Sequence, residues 1–286
     1  MTPGKKLRRK KPATGKAPAQ ANVSASRPAP PRRQEGCYVY GVIASGAPPA
    51  CAKSSLGGVS EDVYTVHHGG LAAVVSRAPA FILDPTRENA LAHEHVLETV
   101  LGSHTVVPMS FGAVFRKEDS VREFLRALQH PLQEALRRLQ GKLEFGLKVV
   151  WDRDRIVDDL KRGHDEIRRF LQELARKRLE SAYFARVQLG RMMEKALAEL
   201  AAGYTADIQR ELRAVSVAAC GNKPIGDKMI LNAAYLVPRE RQADFDAAVA
   251  RAGQKFHDRL NFKYTGPWPP YNFVNIRLKL ERGKAG

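Results

Sequence analysis

No stretch of this 286-residue chain approaches the roughly 18 uninterrupted apolar residues that a membrane span requires. No membrane partner is expected. The basic opening runs into Pro, Ala and Ser and not into an apolar segment, so a secretory signal is not expected and the protein is placed in the cytoplasm. Cysteine is scarce. Cys37, Cys51 and Cys220 are an odd number, far apart, with no CxxC pair, which excludes a zinc knuckle and a dithiol redox motif. They read as buried free thiols. GxGxxG, GxxxxGK[ST], HExxH and GxSxG are all missing, so the common nucleotide, zinc-protease and serine-hydrolase chemistries have no foothold.

The histidines offer little more. His67-His68 and His93-x-His95 are the best metal candidates. On a helix, positions i and i+2 point about 200° apart, so His93 and His95 cannot share an ion there. A surface histidine beside a half-buried one explains the pair. Asp152 with Asp154, and Asp158-Asp159, are read as solvated charges at helix starts. No catalytic residue, metal ligand or cofactor is expected.

What the chain has in excess is positive charge, +17. Residues 1–36 hold ten Lys or Arg against the single acid Glu35, so about half the excess sits in an eighth of the chain. This tail, KKLRRKK followed by Pro, Ala and Ser, has too little apolar surface to offset its ordering entropy and reads as disordered. A nucleic-acid-associated basic protein is therefore the alternative function. Against it, the aromatic-interleaved [KR]-G-[FY] strand of RNA-binding sheets is missing, and no nucleic-acid partner is expected.

Order begins at Cys37. CYVYGVIA reads as a strand, and DVYTVHH and LAAVVSR flank Gly69-Gly70 as a hairpin. A helix is expected from Asp84-Pro85-Thr86 to about Leu101, capped by Asp84, with Leu91, His95 and Val96 facing the sheet. Thr105 to Phe115 reads as a strand into a loop, with Pro108 at a bulge, an edge or the strand's end. Glu118 to Gln140 is expected as one amphipathic helix and Leu143 to Trp151 as a further strand. The first domain, residues 37–152, is thus read as ferredoxin-like. Residues 153–286 form the second, a small α/β unit with long paired helices broken between Glu180 and Tyr183. Strands are expected at Val215–Cys220, Met229–Val237 and Phe273–Leu280, with a helix from Arg239 to Leu260. The fold class is α+β.

One segment stands out. In GPWPPYNFV, Pro267, Pro269 and Pro270 fix φ near −65° and hold Trp268 and Tyr271 in an extended run. It either closes a sheet edge, with Trp268 plugging the core, or presents a rigid aromatic docking surface. Physical argument alone leaves the two readings balanced.

TGPWPPYNFV (Thr265 to Val274), LNAAYLV (Leu231 to Val237), VVPMSFGAVF (Val106 to Phe115), GKLEFGLKVVWD (Gly141 to Asp152) and YVYGVI (Tyr38 to Ile43) resemble the gas vesicle GvpF/GvpL family. Ser110 stands where that family's PMRFG-like pattern usually carries Arg. The resemblance implies two α/β domains, the second with long helices. It also implies a non-enzymatic accessory protein of gas vesicle assembly whose partners are the hydrophobic shell protein GvpA and other accessory proteins. Such a protein would cover apolar shell surface and limit aggregation. The contact surface is expected at Trp268, Tyr271 and Phe273 together with the loop carrying Pro108, Phe111 and Phe115.

Overall fold

Alternation between two faces starts with the first strand. The computed structural model describes residues 36–46, 53–78, 82–176 and 182–274; the basic tail and most of the expected strand Phe273–Leu280 lie outside them. Strand β1 (Gly36–Ala44) is central in a sheet of order β4-β5-β1-β6, with β4 at Tyr64–His68, β5 at Leu71–Ala78 and β6 at Val106–Pro108. A short strand β7 (Val114–Phe115) also pairs with β1. Two-residue strands β2 (Lys53–Ser54) and β3 (Glu61–Asp62) form a separate ribbon.

Tyr38 and Tyr40 enter one apolar cluster, while Cys37 and Val39 enter another on the opposite face. A register shift between Val39 and Gly41 then reverses the parity, so Val42 joins the cluster of Val39 and Ile43 that of Tyr40. Gly41 is needed at the shift: a Cβ there would come within 2.7 Å of a Val106 methyl and 2.9 Å of the Val107 carbonyl.

Helix α1 (Arg87–Ser103) covers one face, and α2 (Glu118–Ala127) with α3 (Gln129–Leu139) the other. The cap of α1 is Thr86, whose hydroxyl accepts from Asn89 N, and not Asp84. The buried face agrees with the expected one at Val96 but differs from it elsewhere. Ala92, His93, Val96, Leu97 and Val100 are buried, whereas Leu91 and His95 are exposed. The single helix expected over Glu118–Gln140 is two, because the Pro131 ring lacks an N–H and clashes one turn back, ending α2 before Leu128.

The second sheet has order β11-β8-β10-β9, built from β8 (Lys142–Trp151), β9 (Ala218–Gly221), β10 (Met229–Pro238) and β11 (Leu260–Trp268). Contrary to the expectation, strand β8 is therefore not in the first sheet, and that sheet lacks ferredoxin-like connectivity. The β-α-β-β-α-β order occurs instead from β8 to β11, with α7 (Gln242–Lys255) between β10 and β11. The expected helix to Leu260 stops at Lys255, and its last residue opens a strand. Between β8 and β9 run α4 (Arg153–Gly163), α5 (Asp165–Ala175) and α6 (Ala182–Arg213). A break after Gly163 adds a helix to the expected pair. Asp152 caps α4 through Arg155 N, but Asp158 and Asp159 lie inside α4, paired with Lys161 and Arg162.

Leu143, Phe145, Leu147, Val149 and Trp151 alternate into the same cluster as Tyr38, Tyr40 and the buried face of α1. One core thus joins α1 to both sheets. Its interior includes Phe245 against Phe145 and Tyr235, with ring centroids 5.6 and 5.4 Å apart.

Candidate functional site

The proline-rich run divides into three pieces with different environments. Residues Thr265–Trp268 finish β11, and Trp268 pairs across a register shift with Glu144 of β8. Gly266 has φ +125°, and a Cβ there would lie 2.9 Å from the Glu144 carbonyl, so a side chain is excluded. Pro269 and Pro270 are buried, and a short 3-10 turn, Tyr271–Phe273, replaces the start of the expected last strand.

Two buried polar groups hold that turn. The Glu144 carboxylate, 4% exposed, accepts from Asn272 N at 2.8 Å and from Asn272 Nδ2 at 2.6 Å. Burial raises its pKa, and the two bonds from Asn272 work against that rise. The second group is His93 on α1. Its Nδ1 lies 2.8 Å from Tyr38 Oη and its Nε2 3.0 Å from Tyr271 Oη. The ring stacks on Tyr40 and meets Tyr38 and Phe111 edge-on. Tyr38 Oη also accepts from Gly112 N at 3.1 Å, which ties the loop after β6 to the same hub. Burial pushes the imidazole down to about 4, so it is neutral at pH 7. Arg138 Nη2 donates to the Phe273 carbonyl at 2.7 Å and completes the anchoring.

The residues expected to make a contact surface are thereby sorted. Pro108 and Tyr271 line one groove of about 220 Å³ together with Val107, Met109, Phe124 and Leu128. Ser110 stands exposed on its rim. Phe111 packs into the His93 hub beside it. Phe115 leans on Phe124, centroids 5.3 Å apart, and Phe273 packs against the cluster of α2 and α3. Trp268 is not with them: it lines a different groove of about 270 Å³, with Leu101, Leu143 and Arg239. Sequence reasoning missed Phe124, Leu128 and Leu132, although their four-residue spacing was visible.

The metal candidates are likewise sorted. His67 bonds Ser45 and Thr65, His93 is the hub, and His95 is exposed. Among the described residues no cluster of three His, Cys, Asp or Glu side chains is arranged to hold a metal. Cys37 is buried, Cys220 half-buried and both are free, while Cys51 lies outside the described residues. No described helix is long and apolar enough to cross a membrane.

The model of the gas vesicle synthesis protein GvpL/GvpF family matches residues 36–275. Gas vesicle protein F of Haloferax mediterranei is 31% identical over 256 residues, covering 88% of this chain and 99% of that protein. Gas vesicle protein L of a Streptomyces species is 28% identical, covering 84% and 92%. The crystal structure of GvpF from Anabaena sp. PCC7120 superposes with a TM-score of 0.77 at 26% identity, covering 85% of this chain and all of that one.

Proposed function

We propose, from the premise that this chain belongs to the gas vesicle synthesis protein GvpL/GvpF family, that it is a non-enzymatic accessory protein of gas vesicle formation. It binds the hydrophobic shell protein GvpA through the groove between β6, α2, α3 and Tyr271, and limits its aggregation before assembly. A shell subunit that faces gas must expose apolar surface, and exposed apolar surface associates indiscriminately in water. An accessory protein that covers it reversibly removes that hazard.

One observation carries the reading. Pro108 and Tyr271 are 163 residues apart in the chain, yet they line one groove whose walls, among the described residues, carry no charged side chain. An uncharged, mostly apolar concavity with a rigid rim suits an apolar anchor side chain. The rim is rigid because the Tyr38–His93–Tyr271 chain and the Glu144–Asn272 bonds fix both of its sides.

Pull-down from cells that make gas vesicles tests this. Wild-type chain should retain GvpA and sediment with the vesicle fraction, while Ser110→Trp, which fills the mouth of the groove from an exposed position, should lose both at unchanged Tm. Retention of GvpA by the filled variant would exclude the groove as the contact.

A further inference from the structure

Helix α6 is 32 residues long, about 48 Å at 1.5 Å per residue, and its first two turns carry apolar side chains on two opposite faces. At 100° per residue, Ala185, Leu189, Met192 and Ala196 share one side. Ala185 and Ala196 are buried there, and Leu189 and Met192 pack on the core. Tyr183, Phe184, Val187 and Arg191 fall within a sector of about 100° on the other side. Tyr183 is 67% exposed, Phe184 81% and Val187 42%. The two rings meet edge-on with centroids 5.5 Å apart. The other large exposed apolar residues, such as Ile82, Leu91 and Val217, are scattered through the chain. The stabilisation of the core does not account for this outer face.

The patch also carries charge. Several cations on these helices pair with acids three residues away, Lys161 with Asp158, Arg162 with Asp159, Arg168 with Asp165 and Arg210 with Asp207, while Arg155, Arg169 and Arg213 join no ion pair among the described residues. Arg176, Arg186 and Arg191 are exposed, and none of them joins an ion pair among the described residues. Glu194 follows Arg191 by three residues and does not pair with it. Among the described residues the outer face is thus an aromatic ridge flanked by Arg186 and Arg191, neither in an ion pair, with the exposed Glu194 at its far end, and Tyr and Arg dominate protein-binding hot spots.

We infer that the outer face of α6 at Tyr183, Phe184 and Val187 docks an amphipathic helix of another protein whose apolar stripe is flanked by carboxylates. Val187 stands three residues after Phe184 and four after Tyr183, the spacing of one side of a helix–helix packing seam. The rim fixes the sign of the partner: Arg186 and Arg191 gain from facing acids and lose from facing cations. A second copy of this chain is disfavoured for that reason, since a self-complementary contact sets arginine-rimmed patches against each other. This surface shares no residue with the groove between β6 and Tyr271, so it stands or falls separately.

The test uses the full chain and three probes: a synthetic helical peptide with a leucine stripe flanked by glutamates, its lysine-flanked twin, and phosphatidylglycerol vesicles. The glutamate peptide should bind at least 10-fold more tightly than the lysine twin by fluorescence anisotropy. Tyr183→Ser with Phe184→Ser should weaken it at least 10-fold, and Arg186→Glu with Arg191→Glu should reverse the preference, both at unchanged Tm because all four side chains are exposed. Binding of neither peptide, a preference that survives the charge reversal, or binding of vesicles in place of peptide would each overturn the proposal.

Discussion

The Tyr271 hydroxyl lies 3.0 Å from Nε2 of His93, across 178 residues of sequence. The other ring nitrogen of His93 meets Tyr38 at 2.8 Å, so one buried imidazole joins β1, α1 and the turn after the proline run. Removing one partner strands a buried polar atom, at a cost of about 1–3 kcal/mol. Tyr271→Phe should therefore lower the unfolding free energy by about 2 kcal/mol in urea titration with little change in m-value. A change under about 0.5 kcal/mol would show that the bond contributes nothing.

The same histidine sets a pH dependence. Its folded pKa is depressed to about 4 by burial, against an ordinary value near 6.5. Between those values the unfolded chain binds the proton and the folded chain does not. The contribution of His93 is thus fully present above pH 6.5 and is lost as pH falls toward 4, by roughly 3 kcal/mol. His93→Gln should flatten this part of the stability profile, measured by denaturant titrations at pH 7, 5.5 and 4.5. An unaltered slope in the variant would assign the acid sensitivity to other groups.

Glu144 behaves with the opposite sign. Burial raises its pKa, so its ionised form is the one the fold tolerates less, and the two bonds from Asn272 matter most when it is charged. Asn272→Ala should cost about 2 kcal/mol at pH 7.5. The difference between variant and wild type should shrink as pH falls toward 4. A difference independent of pH would mean that Asn272 acts by packing alone.

Gly266→Ala tests the geometry of the run itself. At φ +125°, a Cβ added to this residue would sit 2.9 Å from the Glu144 carbonyl. Alanine must therefore displace backbone and should cost about 1–3 kcal/mol. Gly102→Ala, at a helical glycine with open space around it, is the control and should be neutral or slightly stabilising. Equal effects from the two substitutions would contradict the close approach of β11 to β8.

Much of this fold was legible in local pattern. β10 starts where expected, at Met229, and α6 begins at Ala182, between Glu180 and Tyr183. The departures come from competition between neighbours in space. Strand β8 has the same alternation whichever sheet it joins, so LEFGLKVVW could not reveal that its partners are β10 and β11. On α1 the expected Val96 is buried, but the apolar pattern alone did not place His93 with Ala92, Leu97 and Val100 on the buried side or Leu91 on the exposed one. The pairing of Pro108 with Tyr271 is a long-range contact that no periodicity encodes. Even so, Glu144 carried a signal, the single carboxylate of its strand, and so did Pro131 within the helix over Glu118–Gln140. Trp268, the most conspicuous residue of the run, lies outside the groove that Tyr271 lines.

The central claim is that the groove beside Tyr271 covers apolar shell surface, and light scattering by refolding GvpA measures it most directly. Wild-type chain at equimolar ratio should suppress the scattering, Trp268→Ala should suppress it as well, and Ser110→Trp should fail to do so while keeping its Tm. Full suppression by Ser110→Trp, or none by wild type, would contradict the account.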